Sequence, residues 1–286
     1  MTDALLDVRT AVRLPDDDAS PVGRRPSPGR RVWSAGWPKV SALVLFLLLW
    51  QVVVASGWRP SYLLPGPGAV FRQLGSDLGT GDFWRGVGYT ARRALTGYTI
   101  AVLLGGVVGI AVARVRALRA AVGSMLTGLQ TMPSVAWFPL AILLYQTSEA
   151  AILFVVVIGA APSIANGVLD GVDRIPPVLL RSGRVLGARG LGLVRSVVVP
   201  AALPSFVSGL KQGWAFAFRS LMSGELIAII ANHRSLGVRL DQARTNLDAP
   251  ELLAMMIVIL VLGLVVNAAF TAADRTLRGR WGLADA

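Results

Sequence analysis

Ala94-Leu95-Thr96-Gly97-Tyr98-Thr99-Ile100-Ala101-Val102-Leu103-Leu104-Gly105-Gly106-Val107-Val108-Gly109-Ile110-Ala111-Val112-Ala113 carries no charged side chain and is bounded by Arg93 and Arg114. As a helix rising 1.5 Å per residue, this run measures about 30 Å, the thickness of a bilayer's hydrocarbon core. Five further runs are predominantly apolar, residues 40–58, 120–148, 150–169, 197–231 and 252–273, and only 197–231 among them holds charged residues. The run 120–148 is too long for one simple span, and Pro133 and Pro139 interrupt it. It reads as one broken or kinked helix whose freed carbonyls are satisfied by neighbours. The pattern is that of an all-α integral membrane protein with about six transmembrane helices. Composition agrees: 54% of the 286 residues are hydrophobic and 15% are charged, whereas a soluble domain carries about 25% charge. The chain lacks the charge to cover its surface in water.

The formal net charge of +12 raises two classes of partner, nucleic acid and membrane. Nucleic-acid binding needs basic residues gathered on a solvated face. Here the arginines sit mainly between the apolar runs, which orients a membrane protein and holds it near anionic headgroups. No nucleic-acid partner is expected. With no cysteine and a single histidine, His233, the chain has no disulfide framework, no thiol chemistry and no multi-histidine metal site. His233 reads as a solvated residue of an outer loop. The spans hold no paired carboxylates for acid–base work.

Residues 1–39 differ from the rest. They hold Asp16-Asp17-Asp18, Pro21, Pro26, Pro28, Arg24-Arg25 and Arg30-Arg31, with too few apolar side chains to offset ordering entropy, and read as a disordered cytoplasmic tail. Residues 40–286 form the transmembrane domain; a cleaved signal sequence is the alternative for the first apolar run. Leu64-Pro65-Gly66-Pro67-Gly68 is a turn cluster, followed by two short amphipathic helices at 69–78 and 83–95. Residues 170–195 read as a solvent-facing loop with one or two short helices, and 233–250 as polar loop. With the N-terminus inside, the arginine-bearing stretches 1–39, 114–119, 170–195 and 274–286 all face the cytoplasm, as the positive-inside rule requires. The loop 146–149 lies outside without a basic residue. Arginines in 59–93 and 233–244 also lie outside, so the bias is clear but not clean. Both termini come out cytoplasmic.

Within the third inner stretch of the chain, Gly183-Arg184-Val185-Leu186-Gly187-Ala188 leads after a short spacer to Val198-Val199-Pro200-Ala201-Ala202-Leu203-Pro204. This resembles the EAA loop of ABC-transporter permease subunits of the binding-protein-dependent type: a short helix, a Leu-Gly-Ala turn, then a Leu-Pro join to the next membrane helix. Leu64-Pro65-Gly66-Pro67 and Tyr89-Thr90-Ala91-Arg92-Arg93-Ala94-Leu95-Thr96-Gly97-Tyr98 resemble the nitrate, sulfonate and taurine branch of that family. So do Gln130-Thr131-Met132-Pro133-Ser134-Val135-Ala136-Trp137-Phe138-Pro139-Leu140 and Arg219-Ser220-Leu221-Met222-Ser223-Gly224-Glu225-Leu226-Ile227. The resemblance spans about 64–273, with a family-like core at about 84–275.

The resemblance implies a cytoplasmic coupling helix between the fourth and fifth spans, carried by Arg181, Ser182, Gly183, Leu186, Gly187, Ala188 and Pro200. It also implies an ATPase subunit dimer, a second permease copy giving a homodimer, an extracytoplasmic solute-binding protein, and a multi-pass place in the bacterial cytoplasmic membrane. The chain contains no G-x-x-x-x-G-K-[ST] stretch. It is therefore expected to be no enzyme and to bind no cofactor, ATP being used by the partner. One departure stands out. Where the family has an acidic residue and two alanines, this chain has Arg181, Ser182 and Gly183, so the charge at the first place is reversed. The mechanics expected of such a loop are simple: Gly187 permits a left-handed turn, and Pro200 and Pro204 stiffen the join to the fifth span.

Ionisable groups inside a bilayer face a cavity or one another. Lys211, Arg219 and Glu225 lie in the fifth run. Lys211 and Glu225 are about 21 Å apart along one straight helix and cannot touch; Lys211 reads as a snorkelling residue near the cytoplasmic end. Arg219 and Glu225, with Pro133 and Trp137 of the broken span, are the candidate translocation path. Arg219 would favour an anion, with Glu225 pairing locally; the alternative for both is a structural ion pair to another helix. The transported solute is expected to be a small anion such as an aliphatic sulfonate, taurine or nitrate, and a non-anionic solute such as a thiamine pyrimidine precursor is the alternative. An ion-coupled secondary carrier would need midplane acidic relays, for which Glu225 is the lone candidate, and no inverted repeat is visible. A membrane-embedded enzyme or scaffold would need a catalytic cluster, and none is found.

Overall fold

The computed structural model describes residues 28–228 and 234–280. The expectations for residues 1–27 and for His233 lie outside the described residues. The chain divides into two units, Met1–Ser56 and Gly57–Ala286. In the first, α1 (Pro28–Ala55) is a single helix with Pro38 inside it, and its apolar part is Val40–Ala55. Residues 28–39, expected as the end of a disordered tail, are therefore helical. Pro28 stands in the first turn, where a missing N–H removes no intrahelical bond, and the segment continues the apolar helix without a stop signal.

Among the described residues, the elements of the second unit are all helices: α2 (Pro67–Leu78), α3 (Gly81–Arg114), α4 (Arg116–Thr131), α5 (Phe138–Tyr145), α6 (Glu149–Asp173), α7 (Pro177–Val185), α8 (Leu191–Leu193), α9 (Val199–Ile227), α10 (Leu236–Thr245) and α11 (Ala249–Arg280). A 3₁₀ turn, Ser134–Trp137, joins α4 to α5, and a π-helical turn, Val194–Val198, joins α8 to α9. Among the described residues, four helices are long and apolar enough to cross a membrane: Gly81–Arg114, Glu149–Asp173, Leu191–Ile227 and Ala249–Thr276. Ala121–Thr131 and Ser134–Tyr145 form a pair bent by 103°, the broken span that Pro133 announces. The six apolar runs thus map onto four whole spans, one bent pair and the shorter apolar helix of α1.

Two expectations are corrected here. The helix expected at 83–95 is not separate: it is the first part of α3, a continuous helix of 34 residues. Thr80 caps it by accepting from the Phe83 N–H at 3.4 Å, and no proline follows. The charges at Arg92 and Arg93 mark the membrane boundary but do not stop a helix. The polar loop expected after the fifth span contains α10, capped by Ser235, which accepts from the Val238 N–H at 3.5 Å. It has no strong apolar stripe and is held by polar contacts described below.

α6 is the centre of the unit and packs most extensively on α9 and α3. Ile152, Val156, Ala160 and Ile164 of α6 form one core with Ala94 and Ala101 of α3 and with Trp214, Ala217 and Leu221 of α9. Lipid tails give no hydrophobic drive for helix association, so close backbone approach has to supply the packing energy. Gly167 of α6 faces Gly209 of α9 so closely that a methyl group on Gly167 would fall 2.6 Å from the Gly209 Cα. The small-residue pattern of α3 works the same way, with Gly105 against Ala161 and Gly109 against Ala165. The outward faces carry Leu103, Val107 and Ile110 on α3 and Leu260, Val261, Leu264 and Val265 on α11, all exposed as a lipid-facing surface requires.

Candidate functional site: the coupling loop and a buried charge knot

α7 ends in a well-formed stop. Gly187 takes φ +86°, the Ala188 N–H donates to the Gly183 carbonyl at 3.0 Å, and the Gly187 N–H donates to the Arg184 carbonyl at 3.0 Å. These are the two bonds of a Schellman motif, which satisfies the last carbonyls of the helix and fixes the exit direction of the chain. The left-handed turn expected at Gly187 is where the structure has it. Gly183 is buried, and a methyl group there would lie 2.9 Å from both Leu193 Cδ1 and Val197 Cγ2. The departure from alanine at this place therefore has a physical reason: α7 rests directly on α8 and the π turn. Pro200 follows in the first turn of α9, so α8, the π turn and α9 run on as Leu191–Ile227.

What α7 presents outward is apolar. Val185 is 87% exposed and Leu186 86%, with Val178, Leu179 and Leu191 also in the open. Arg181, Ser182, Arg184 and Arg189 surround them, likewise exposed. Water disfavours such an arrangement, and a rimmed apolar patch of this kind marks a protein contact.

The four candidate path residues have different settings, although the 3₁₀ turn that ends in Trp137 packs on α9. Pro133 precedes the 3₁₀ turn of the broken span. Trp137 lines an apolar cavity of about 300 Å³ with Leu104, Leu126, Leu129, Val157 and Pro162. Arg219 is exposed on α9, its guanidinium 5.3 Å from the Phe216 ring centre. Glu225 is fully buried and pairs with α3 instead of with Arg219. Lys211, expected to snorkel, donates to Thr271 of α11 at 3.1 Å.

Glu225 is the hub of a buried knot with another helix, the structural alternative raised for it, although its partner Arg93 was not foreseen. Arg93 Nη1 donates to Glu225 Oε1 at 3.1 Å, the Thr90 hydroxyl donates to Oε2 at 2.9 Å, and the Gly237 N–H donates to Oε2 at 3.0 Å. The Leu236 N–H donates to Thr90 Oγ1 at 3.0 Å. The first turn of α10 is thus aimed at a carboxylate, the charge a helix N-terminus favours. Arg93 Nε donates to Glu149 Oε2 at 2.8 Å, and its Nη2 pairs with the other Glu149 oxygen. One knot therefore joins α3, α6, α9 and α10. A second lies beside it: Arg239 Nη2 reaches Asp77 Oδ1 at 3.1 Å and Glu251 Oε1 at 3.0 Å, with its guanidinium 5.7 Å from the Phe83 ring centre. It binds α10 to α2, α11 and α3. Both knots sit at the end of the helices opposite α7. That Glu225 is the deepest acidic group of its run and Arg93 the basic residue closing another was the available signal; which helices share an end was not.

A profile of the family described as "Binding-protein-dependent transport system inner membrane component" matches residues 83–280. Among relatives, the chain is 30% identical to the bicarbonate transport system permease protein CmpB of Synechococcus elongatus over 72% of this chain and 78% of that one. It is 28% identical to the riboflavin transport system permease protein RibX of Chloroflexus aurantiacus over 86% and 91%, and 25% identical to the taurine transport system permease protein TauC of Escherichia coli over 83% and 87%. Among solved structures, the inward-facing MetNI methionine ABC transporter superposes with a TM-score of 0.58 at 20% identity, covering 68% of this chain and 96% of that one, which shows a shared fold. The chain belongs to the binding-protein-dependent transport system inner membrane components, the multi-pass ABC permease subunits that leave ATP hydrolysis to a separate ATPase and work with a solute-binding protein.

Proposed function

We propose that this permease forms the translocation path for a small anion in a homodimer, and that α7 with the Gly187 turn is the handle through which the ATPase moves α9. The observation that carries this reading is the pairing of an outward apolar tip, Val185 and Leu186, with an inward buried seat, Gly183 on Leu193 and Val197. A partner that grips the tip acts through the seat on the helix that continues into α9. Arg181, Ser182, Leu186 and Ala188 are the contact, and Gly183, Gly187 and Pro200 are the transmission. On this reading the α7 end is cytoplasmic, with both termini on that side.

The open face of α9 supports the path. Ser208, Gln212, Ala215 and Arg219 recur at spacings of four, three and four and are all exposed in the single chain, while the other faces pack on α6 and α11. A polar stripe is costly against lipid and belongs opposite a second copy across an aqueous path. Arg219 supplies the positive charge for an anion, in keeping with the bicarbonate and taurine names among the relatives. The riboflavin relative favours a second reading, an importer of a larger non-anionic solute on the same scaffold. Two variants in the reconstituted transporter test both parts. Leu186→Asp is expected to abolish co-purification of the ATPase while the permease stays folded. Arg219→Ala is expected to lower anion uptake by more than tenfold at normal ATPase binding. Undiminished ATPase capture by Leu186→Asp removes the handle, and normal uptake by Arg219→Ala removes the anion path.

A further inference from the structure

A cavity of about 390 Å³ opens at the α7 end, walled by Ile110 and Ala113 of α3, Val168 and Val172 of α6, Val194 and Val198 of the π turn, and Val199, Ala202, Leu203 and Phe206 of α9. This volume lies in the range of about 300–1,000 Å³ typical of small-molecule sites. Arg114 is its one charged lining residue. It stands in the last turn of α3, exposed, and its guanidinium has no partner among the described residues. Its neighbour differs: Arg119 is held by Asp173 at 2.6 Å and by the Ala113 carbonyl at 3.0 Å. The nearby acidic groups are taken, Asp173 by Arg119 and Asp170 by Arg174 at 3.7 Å. Arg195, on the π turn that forms one wall, is exposed as well.

We infer that this cavity is a site for one anionic phospholipid, with an acyl chain against the valine wall and the phosphate on Arg114. Three observations meet here. The interior is purely aliphatic apart from Phe206, so it offers no polar anchor to a soluble solute. The cavity lies near the ends of the apolar stretches of α3 and α6 and the start of α9, beside an arginine that ends an apolar run of bilayer length. The charge at the rim is positive and uncompensated among the described residues, complementary to a phosphate; basic pockets between membrane helices bind anionic headgroups. A chain seated there lies behind Val194 and Val198, on the far side of the π turn from the joint with α7. The lipid braces that joint, so coupling of ATP hydrolysis to transport is expected to rise with anionic lipid content.

The experiment uses the permease with its ATPase, stripped in detergent and titrated with dioleoyl phosphatidylglycerol or dioleoyl phosphatidylcholine, bound lipid being counted by native mass spectrometry. The wild type is expected to prefer phosphatidylglycerol by roughly fivefold, the contribution of a single arginine near a headgroup. Arg114→Gln, a surface change, should abolish the preference and leave the fold intact. Val199→Trp, at a position 53% exposed on the cavity wall, should block retention of either lipid. Soluble glycerol phosphate should show no competition. Equal retention of the two lipids, an unchanged preference in Arg114→Gln, or displacement by glycerol phosphate overturns the assignment. So does a benzophenone at position 199 that captures α1 or a second copy in place of lipid. None of these readouts depends on the transported solute.

Discussion

Arg93→Met, Glu225→Leu and their combination measure what the buried knot contributes. Glu225 is 0% exposed and Arg93 6%. Removing Arg93 leaves the carboxylate with the Thr90 hydroxyl and the Gly237 N–H as its donors, both neutral, and a buried charge stripped of its counterion costs about 3–5 kcal/mol. Removing Glu225 is milder. Arg93 keeps Glu149, and the loss is that of the orphaned Gly237 N–H and Thr90 hydroxyl, about 1–3 kcal/mol. The double variant holds no unpaired charge from this pair, so its cost falls below the sum of the two. For a chain of this size each kcal/mol moves the melting temperature by about 2–4 °C. Arg93→Met should therefore melt roughly 6–20 °C below the wild type. The assay is thermal unfolding in detergent, followed by the fluorescence of the buried Trp214 and its fellow tryptophans. Effects that add to within about 0.5 kcal/mol mean that the two residues are independent, and the knot is then no unit.

Two further changes test the packing. Gly183→Val drives a branched side chain into Leu193 and Val197, which already stand 2.9 Å from the Cβ position; overpacking of this kind costs about 1–3 kcal/mol. It should uncouple ATPase from uptake while Val185 and Leu186 still capture the ATPase; coupling equal to wild type refutes the seat. Gly209→Leu places its side chain against the Gly167 backbone, 2.6 Å from the Cβ position, and should lower the yield of folded permease sharply, whereas Gly106→Leu, with nothing within 4 Å, should be neutral. Equal yields for the two glycines refute the close α6–α9 contact.

Much of the fold could be read from charge spacing because a bilayer punishes a misplaced charge and imposes a length; hence the six runs were visible. The turn at Gly187 was readable too, since a Leu-Gly-Ala sequence at a helix end meets a local demand for positive φ. What failed were features that depend on partners distant in sequence. Glu225 and Arg93 are 132 residues apart, and nothing local links them. α10 escaped notice because Arg239, Asp77 and Glu251 hold it by charge, so its sequence shows little apolar periodicity to detect. The glycine at position 183 looked like a lapse from a family pattern until its neighbours Leu193 and Val197 gave it a reason. The boundary at residue 95 failed for a different cause: a change from polar to apolar marks where the membrane begins, and a helix can cross that line unbroken.

α9 connects these features. Its 29 residues measure about 43 Å, starting at the π turn under α7 and carrying Glu225 of the knot in the last turn. The contacts along its length are of three kinds. Toward α6, the half nearer α7 packs backbone against backbone at Gly167 and Gly209, with Gly171 against Ala202, and the half nearer the knot packs Trp214 and Leu221 on Ile152, Val156 and Ile164. At the far end they are ionic and buried, where small displacements forfeit charge-assisted bonds in a low-dielectric setting. A push at α7, of the kind proposed for the ATPase, therefore meets a rod that is smooth-sided near α7, and held by packed side chains and then pinned by charge toward its tip. The easier response is tilt or rotation about the knot, with translation through it resisted. That motion swings Ser208, Gln212 and Arg219 by amounts that grow with distance from Glu225, so the polar stripe opens from the α7 end. Removal of the buried ion pair, as in the Arg93→Met/Glu225→Leu double variant, should keep ATPase capture yet lose the fixed pivot, and uptake per ATP hydrolysed should fall even where the melting temperature is restored.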